Sequence, residues 1–292
     1  MSGVPAGPAG AALRPEIDIA RLPHVRPVHW GRIVTAAALL LLLALLVRAF
    51  ARGQIAWPVV AQYLTWRTIL EGLLNTVLMA VAAMAVGVVL GVLAAVARSS
   101  PNPVLRSAAQ FYAWLFRGTP VILQLLLWFN LALIFPTLGI PGLWEARTVD
   151  VMTPFLAALL GLGLNQGAYT SEVVRAGMLS VDAGQYEAAK SIGLTYGQSL
   201  WRIVLPQAMR VIVPPLGNEF IGLIKTTSLA SVIRYSELLH SAEDIYYANN
   251  RVMELLLVAT FWYLVLVSAL SLGQMLLERR VSRGVARPAG RR

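Results

Sequence analysis

The chain has 292 residues, of which 58% are hydrophobic and 13% charged, with a net charge of +10 and no cysteine. Its charged share is about half of the ~25% usual in soluble proteins, and several uncharged apolar runs approach or exceed the ~17–20 residues that cross a bilayer as helix. Composition therefore excludes an ordinary soluble protein, and the missing cysteines exclude disulfides, thiolate nucleophiles and Cys-based metal sites.

An all-α integral membrane protein follows, since no sustained strand alternation of the barrel kind is present. The basic residues are scattered among apolar segments without interleaved aromatics. They read as topology determinants rather than a nucleic-acid surface. His24, His29 and His240 form no ligand cluster.

In chain order, residues 1–32 are rich in Pro, Ala, Gly and Arg and read as a flexible cytoplasmic tail. Ile33 to Val47 is an uncharged run of 15 residues, apolar except for Thr35, which predicts an N-terminal transmembrane helix over 33–50. A cleaved signal core is the competing reading, because Ala49-Phe50-Ala51 satisfies the small-x-small pattern; the long tail before it favours a retained helix. Residues 51–68 form an extracytoplasmic linker with the interface-type aromatics Trp57, Tyr63 and Trp66.

Five further spans are expected within 69–278. The first of these, Ile69 to Ala97, carries Gly87 and Gly91, a small-xxx-small pair that lets another helix approach closely. Ser99-Ser100-Pro101-Asn102-Pro103 is a turn. Phe116-Arg117-Gly118-Thr119-Pro120 then opens a span running through Leu133, with Thr119 as N-cap and Pro120 at the first helical position. A loop follows from Phe135 to Thr153, then a span from Pro154 to about Leu179. The next span is expected from Val211 to about Ile233, beginning with Pro214-Pro215. Arg234 to Arg251 reads as an acidic, polar loop, Val252 to Leu277 as the last span, and 279–292 as a basic cytoplasmic tail. No long-period repeat is visible.

With the N-terminus inside, seventeen Lys and Arg fall on the cytoplasmic side, six outside, and Lys225 within a span. That asymmetry favours about six spans with both termini cytoplasmic.

Between the fourth and fifth spans lies a polar stretch, Asp182 to Pro206. Asp182 with Gln185, and Thr195 with Gln198, fit the acceptor-x-x-Glx pattern of a helix start. Gly193 sits where the first helix ends, and Pro206 sets the far limit. The reading is a knob of two short helices. Its spacing, Glu187-Ala188-Ala189, three residues, Gly193, nine residues, then Ile203-x-Leu205-Pro206, resembles the EAA motif of permease subunits of bacterial ATP-binding-cassette importers. Phe116 to Leu126, and Asn165 to Glu172 with Arg175, resemble the polar-amino-acid branch of that family in particular. So do Leu216-Gly217-Asn218-Glu219-Phe220 and Lys225-Thr226-Thr227-Ser228-Leu229. The resemblance runs from about Glu71 to Glu278.

That resemblance implies a five-helix type I importer core, here with an extra N-terminal helix, in a bacterial inner membrane. It implies coupling to an ATPase through the knob, with Gly184, Glu187, Ala188, Ala189, Gly193, Ile203, Leu205 and Pro206 as the coupling residues. The implied partners are an ATP-binding-cassette subunit dimer, a second permease subunit (a copy or a homologue), an extracytoplasmic solute-binding protein and an amino acid substrate. No cofactor is expected in this chain, and ATP belongs to the partner. The P-loop lookalike from Gly184 to Ser191 has Ala189 in place of the second glycine, no preceding strand, and Glu187 to repel a phosphate.

Ionisable groups within a membrane cost ~2.5–3.5 kcal/mol each on insertion scales, so each wants a partner, a cavity or a function. Glu172 and Arg175 are three apart and can neutralise each other on one helix face. Glu219 and Lys225 are six apart on different faces, so each points at another helix or at the translocation path. With Asn165, Asn218 and Thr226 they make the candidate substrate path. A zwitterionic amino acid would present its carboxylate to Lys225 and its ammonium to Glu172 or Glu219. Family members often have an acidic residue after the lysine; Thr226 stands there, so the partner of Lys225 is open. The expected function is ATP-driven import of polar amino acids; an ion-coupled secondary amino acid transporter is the alternative.

Overall fold

The structure is a computed structural model that describes Gly3 and residues 29–140 and 142–281. The expected tails fall mostly outside those residues. The chain divides into two units, Met1–Ile55 and Ala56–Arg292. In the first, α1 (Trp30–Arg52) is a helix of 23 residues, about 35 Å long at ~1.5 Å per residue. It continues without a break through Ala49-Phe50-Ala51.

Among its described residues the second unit is helical apart from one hairpin and the connecting turns. It contains α2 (Trp57–Leu64), α3 (Arg67–Arg98), α4 (Pro103–Gly118), α5 (Val121–Phe129), β1 (Thr137–Ile140), β2 (Trp144–Arg147) and α6 (Thr148–Val151). These are followed by α7 (Pro154–Leu179), α8 (Ala183–Ser191), α9 (Tyr196–Ser199), α10 (Leu205–Thr226), α11 (Leu238–Asn249) and α12 (Val252–Val281). Among the described residues, α1, α3 and α12 are long and apolar enough to cross a membrane by themselves. Helices α7, of 26 residues, and α10, of 22, have the length but carry polar side chains. In a bilayer such side chains need protein partners or a cavity.

Helix α3 lies directly against α7, and glycines make the approach possible. A Cβ on Gly87 would stand 2.7 Å from Gln166 Cγ, and one on Gly91 would stand 2.6 Å from Thr170 Cβ and 3.1 Å from the Gly167 carbonyl. Gly163 and Gly167 answer from α7, facing Val86 and Leu90. The small-xxx-small pair is thus a packing seam in which backbones meet at distances that larger side chains forbid. The core around it joins Met79, Ala80 and Ala83 of α3 to Leu125 of α5, Leu162 of α7 and Ile224 of α10.

Six local expectations change. The stretch 116–133 is not one helix. Helix α4 ends at Gly118 and α5 has only 9 residues, about 14 Å against a ~30 Å hydrocarbon core, so α4 and α5 share the crossing. Thr119 does not cap α5. Its hydroxyl donates back to the Leu115 carbonyl (2.8 Å), and the Gln124 amide donates to the Thr119 hydroxyl (2.8 Å) and to the Phe116 carbonyl (3.0 Å).

The linker 51–68 holds α2, whose Leu64 carbonyl accepts from the Trp262 indole (2.9 Å). The loop 135–153 holds the β1–β2 hairpin and α6. The loop 234–251 holds α11, 12 residues long. Finally, α10 starts at Leu205, earlier than Val211. A π-helical turn, Leu200–Val204, joins α9 to α10, so Pro206 lies inside continuous helical backbone rather than at its limit. Pro214 and Pro215 lie inside α10, and the Gln274 amide donates to the Pro214 carbonyl (2.7 Å).

Candidate functional site

Helices α5, α7 and α10 enclose a half-open cavity of about 290 Å3 lined by Val121, Leu162, Asn165, Gln166, Tyr169, Glu219, Gly222, Leu223 and Thr226. Its one ionisable carboxylate is Glu219. The carboxylate accepts from the Gln166 amide at 2.7 Å and from the Thr170 hydroxyl at 3.2 Å, which fixes it to the α7 wall without neutralising it. Asn165 donates to the Phe116 carbonyl at 2.7 Å, the same carbonyl that Gln124 reaches. The break between α4 and α5 is therefore tied to the cavity wall. Thr226 donates to the Gly222 carbonyl one turn back, at 3.0 Å.

The structure brings together Asn165, Glu219 and Thr226 from the sequence-derived path and places the others elsewhere. Lys225 is exposed and outside the lining, and Asn218 faces the Glu278 carboxylate of α12 at 3.4 Å. Glu172 is the hub of an ion cluster. Its Oε1 meets Arg98 at 2.7 Å and Arg117 at 2.8 Å, and its Oε2 takes Arg175 Nε and Nη2 at 3.1 and 3.0 Å. The expected Glu172–Arg175 pair exists, but two further guanidiniums from the C-terminal ends of α3 and α4 join it. A carboxylate so engaged has no free lone-pair direction for a substrate ammonium. Neither Arg98 nor Arg117 was among the sequence-derived path residues; FRGTP beside the span was the available signal for Arg117.

In the knob between α7 and α10 the two helix starts and the Gly193 end form. Pro206 does not end the second helix, which continues into α10, and Gln185 accepts from the Gln207 amide rather than closing a box with Asp182. Asp182 accepts from the Gly184 N–H (2.7 Å). Thr195 and Gln198 form a full capping box. Gly193 has φ +79°, and the Leu194 N–H bonds the Ala189 carbonyl (3.1 Å) while the Gly193 N–H bonds the Lys190 carbonyl (3.0 Å). These two bonds make a Schellman end, in which the left-handed residue is glycine because a Cβ would be strained there. Gly184, Glu187, Ala188, Gly193 and Pro206 are exposed; Ala189 is buried, and Ile203 and Leu205 are half-buried. Ile192 is 74% and Trp201 69% exposed. The segment 184–191 is mostly ordinary α-helix, not a phosphate-cradling loop.

At the other end of α3, a network escaped the sequence reading. Glu237 is fully buried and accepts from Tyr263 Oη (2.7 Å) and from the Leu239 and His240 N–H groups (2.9 and 2.7 Å). It caps α11 and ties it to α12. Burial pushes its carboxyl up to about 7, against the pull of these donors.

Comparison with known proteins agrees with this architecture. Residues 87–283 match the family described as "Binding-protein-dependent transport system inner membrane component". The arginine transport system permease protein ArgU of Corynebacterium glutamicum is 39% identical over 290 residues, covering 98% of this chain and 90% of that one. The L-cystine transport system permease protein TcyB of Bacillus subtilis is 39% identical over 234 residues, covering 80% and 94%. A crystal structure described as that of "an amino acid ABC transporter with histidines" superposes with a TM-score of 0.63 at 33% identity, covering 73% of this chain and 94% of that chain.

The chain belongs to the family of inner-membrane components of binding-protein-dependent transport systems. It is accordingly a multi-pass membrane permease subunit of the ATP-binding-cassette importer class, in which ATP hydrolysis belongs to a separate subunit and a binding protein is a partner.

Proposed function

We propose that this chain forms the translocation path for polar amino acids through the cavity between α5, α7 and α10. The observation that carries the reading is Glu219, a carboxylate oriented by Gln166 and Thr170 in a polar-and-apolar cavity beside Asn165 and Thr226. An amino acid presents an ammonium to every such site, and a hydrogen bond between charged groups contributes ~1.5–3 kcal/mol. Relatives named for arginine and cystine transport support the substrate class.

The coupling follows from connectivity. Helix α7 supplies Asn165, Gln166 and Tyr169 and runs straight into the knob; α10 leaves the knob and supplies Glu219 and Thr226. A displacement of the knob therefore moves both of these cavity walls. In the proposed assembly two permease subunits, copies or homologues, pair in a bacterial inner membrane with both termini cytoplasmic, and an ATPase docks on each knob. Gly184, Glu187, Ala188, Ala189, Gly193, Ile203, Leu205 and Pro206 shape that docking. ATP is held by the ATPase, and this chain carries no cofactor and contacts no nucleic acid.

The test is Glu219→Gln in the reconstituted complex. It keeps the contact geometry and removes the charge, and a roughly 10- to 100-fold rise in KM for amino acid uptake is expected. Unchanged uptake would mean that Glu219 is a packing residue and the cavity is not the path.

A further inference from the structure

An amino acid that places its ammonium on Glu219 leaves a carboxylate to be matched, and the cavity lining holds no cation. The cation expected from the sequence, Lys225, is not in that lining. Arg117 stands beside it. Its guanidinium lies over the ring of Tyr169, 5.5 Å from the centroid, and Tyr169 is part of the lining.

Arg117 is the least committed member of the cluster on Glu172. It offers one nitrogen at 2.8 Å, whereas Arg175 offers two and Arg98 is the more buried, its side chain 16% exposed against 41% for Arg117. Without Arg117, Glu172 would keep Arg98 at 2.7 Å and Arg175 at 3.0 Å. Three guanidiniums on one carboxylate leave an excess of positive charge that a second carboxylate satisfies.

We propose that Arg117 is the carboxylate-binding residue of this cavity, exchanging Glu172 for the α-carboxylate of the bound amino acid. This rests on the amino-acid reading above and adds a residue to it. The exchange removes the ion pair that ties Arg117 of α4 to Glu172 of α7 and leaves the Asn165–Phe116 hydrogen bond (2.7 Å) beside it. Occupancy of the cavity is thereby linked to the helix that enters the knob. Arg117 also becomes a specificity residue: a substrate without the carboxylate cannot make the exchange.

The permease–ATPase complex, purified into lipid nanodiscs, is equilibrated with radiolabelled L-arginine, L-glutamine or L-cystine in turn. Each is displaced by the unlabelled free acid or by its α-carboxamide. For the wild type the acid should displace better than the amide by about tenfold or more, which is about 1.4 kcal/mol. In Arg117→Met that ratio should fall to about one, and Glu172→Gln, which frees Arg117, should bind the acid more tightly. Two results overturn the proposal: an acid-over-amide ratio that survives in Arg117→Met, or Glu172→Gln weakening binding as much as Arg117→Met does. Either would leave the cluster as a clasp between helices. Failure of the wild type to bind any of the three would instead contradict the amino-acid cavity itself, and the proposal with it.

Discussion

Replacing Glu237 with glutamine tests the buried network at the α3–α11–α12 junction. Burial raises this carboxyl from its usual 4.5 to about 7. Between those two values the folded protein holds a proton that the unfolded chain has released, so folding is favoured at the acid end. Stability therefore declines as pH rises from about 4.5 to about 7, by roughly 3 kcal/mol over the window. For a chain of this size that corresponds to a fall in Tm on the order of 6–10 °C.

Glutamine has nearly the same shape and does not titrate, though its single oxygen accepts from only one of the two α11 N–H groups, which Glu237 takes on separate oxygens. Nearby His240, 3.4 Å from Glu243 and 3.7 Å from Asp244, is retained in both proteins, so the difference between them isolates Glu237. Unfolding followed by tryptophan fluorescence in detergent at pH 5, 6, 7 and 8 should give a wild-type Tm that declines with pH and a distinctly flatter profile for Glu237→Gln. Parallel profiles would refute the assignment of the titration to this carboxyl.

Gly91→Val should be strongly disruptive, because its Cβ would meet Thr170 and the Gly167 backbone inside ordinary contact distance; overpacking of ~1–3 kcal/mol or more is expected, read as a lower Tm and poorer yield. Thr195→Ala removes the capping box at α9, with an expected loss of ~0.5–2 kcal/mol confined to the knob. Hydrogen exchange should show faster opening of residues 195–199 and unchanged protection in α3.

Much of this molecule was legible because its signals are local. The caps at Asp182 and Thr195, the left-handed end at Gly193 and the glycine pair on α3 each state their geometry within a few residues, and each is found as read. The misreadings arose where tertiary partners decide. Thr119 before Pro120 satisfies the rule for a helix start, but Gln124 five residues on redirects it into a break. The segment 234–251 looked like a polar loop because nothing in its own sequence reveals that Tyr263 and Thr76 receive it. The hairpin had one cue, Pro141-Gly142, in a stretch too short for alternation to register.

Ionic sites show the same limit. The pair Glu172–Arg175 follows from helical spacing. The arrival of Arg98 from 74 positions away and Arg117 from 55 follows only from the way α3 and α4 end.

The central claim is that this permease is driven through its knob. Its most direct test is co-purification of the cognate ATPase with the tagged permease from membranes. Gly193→Val places a β-branched residue at φ +79° with nothing within 4 Å of the new Cβ, so it disturbs the knob's backbone and little else. Gly197→Ala, also in open space but without a positive φ, serves as the control. The wild type and Gly197→Ala should retain the ATPase and Gly193→Val should lose it, along with uptake, while remaining folded. Full retention of the ATPase by Gly193→Val, or no recruitment by the wild type, would contradict the account.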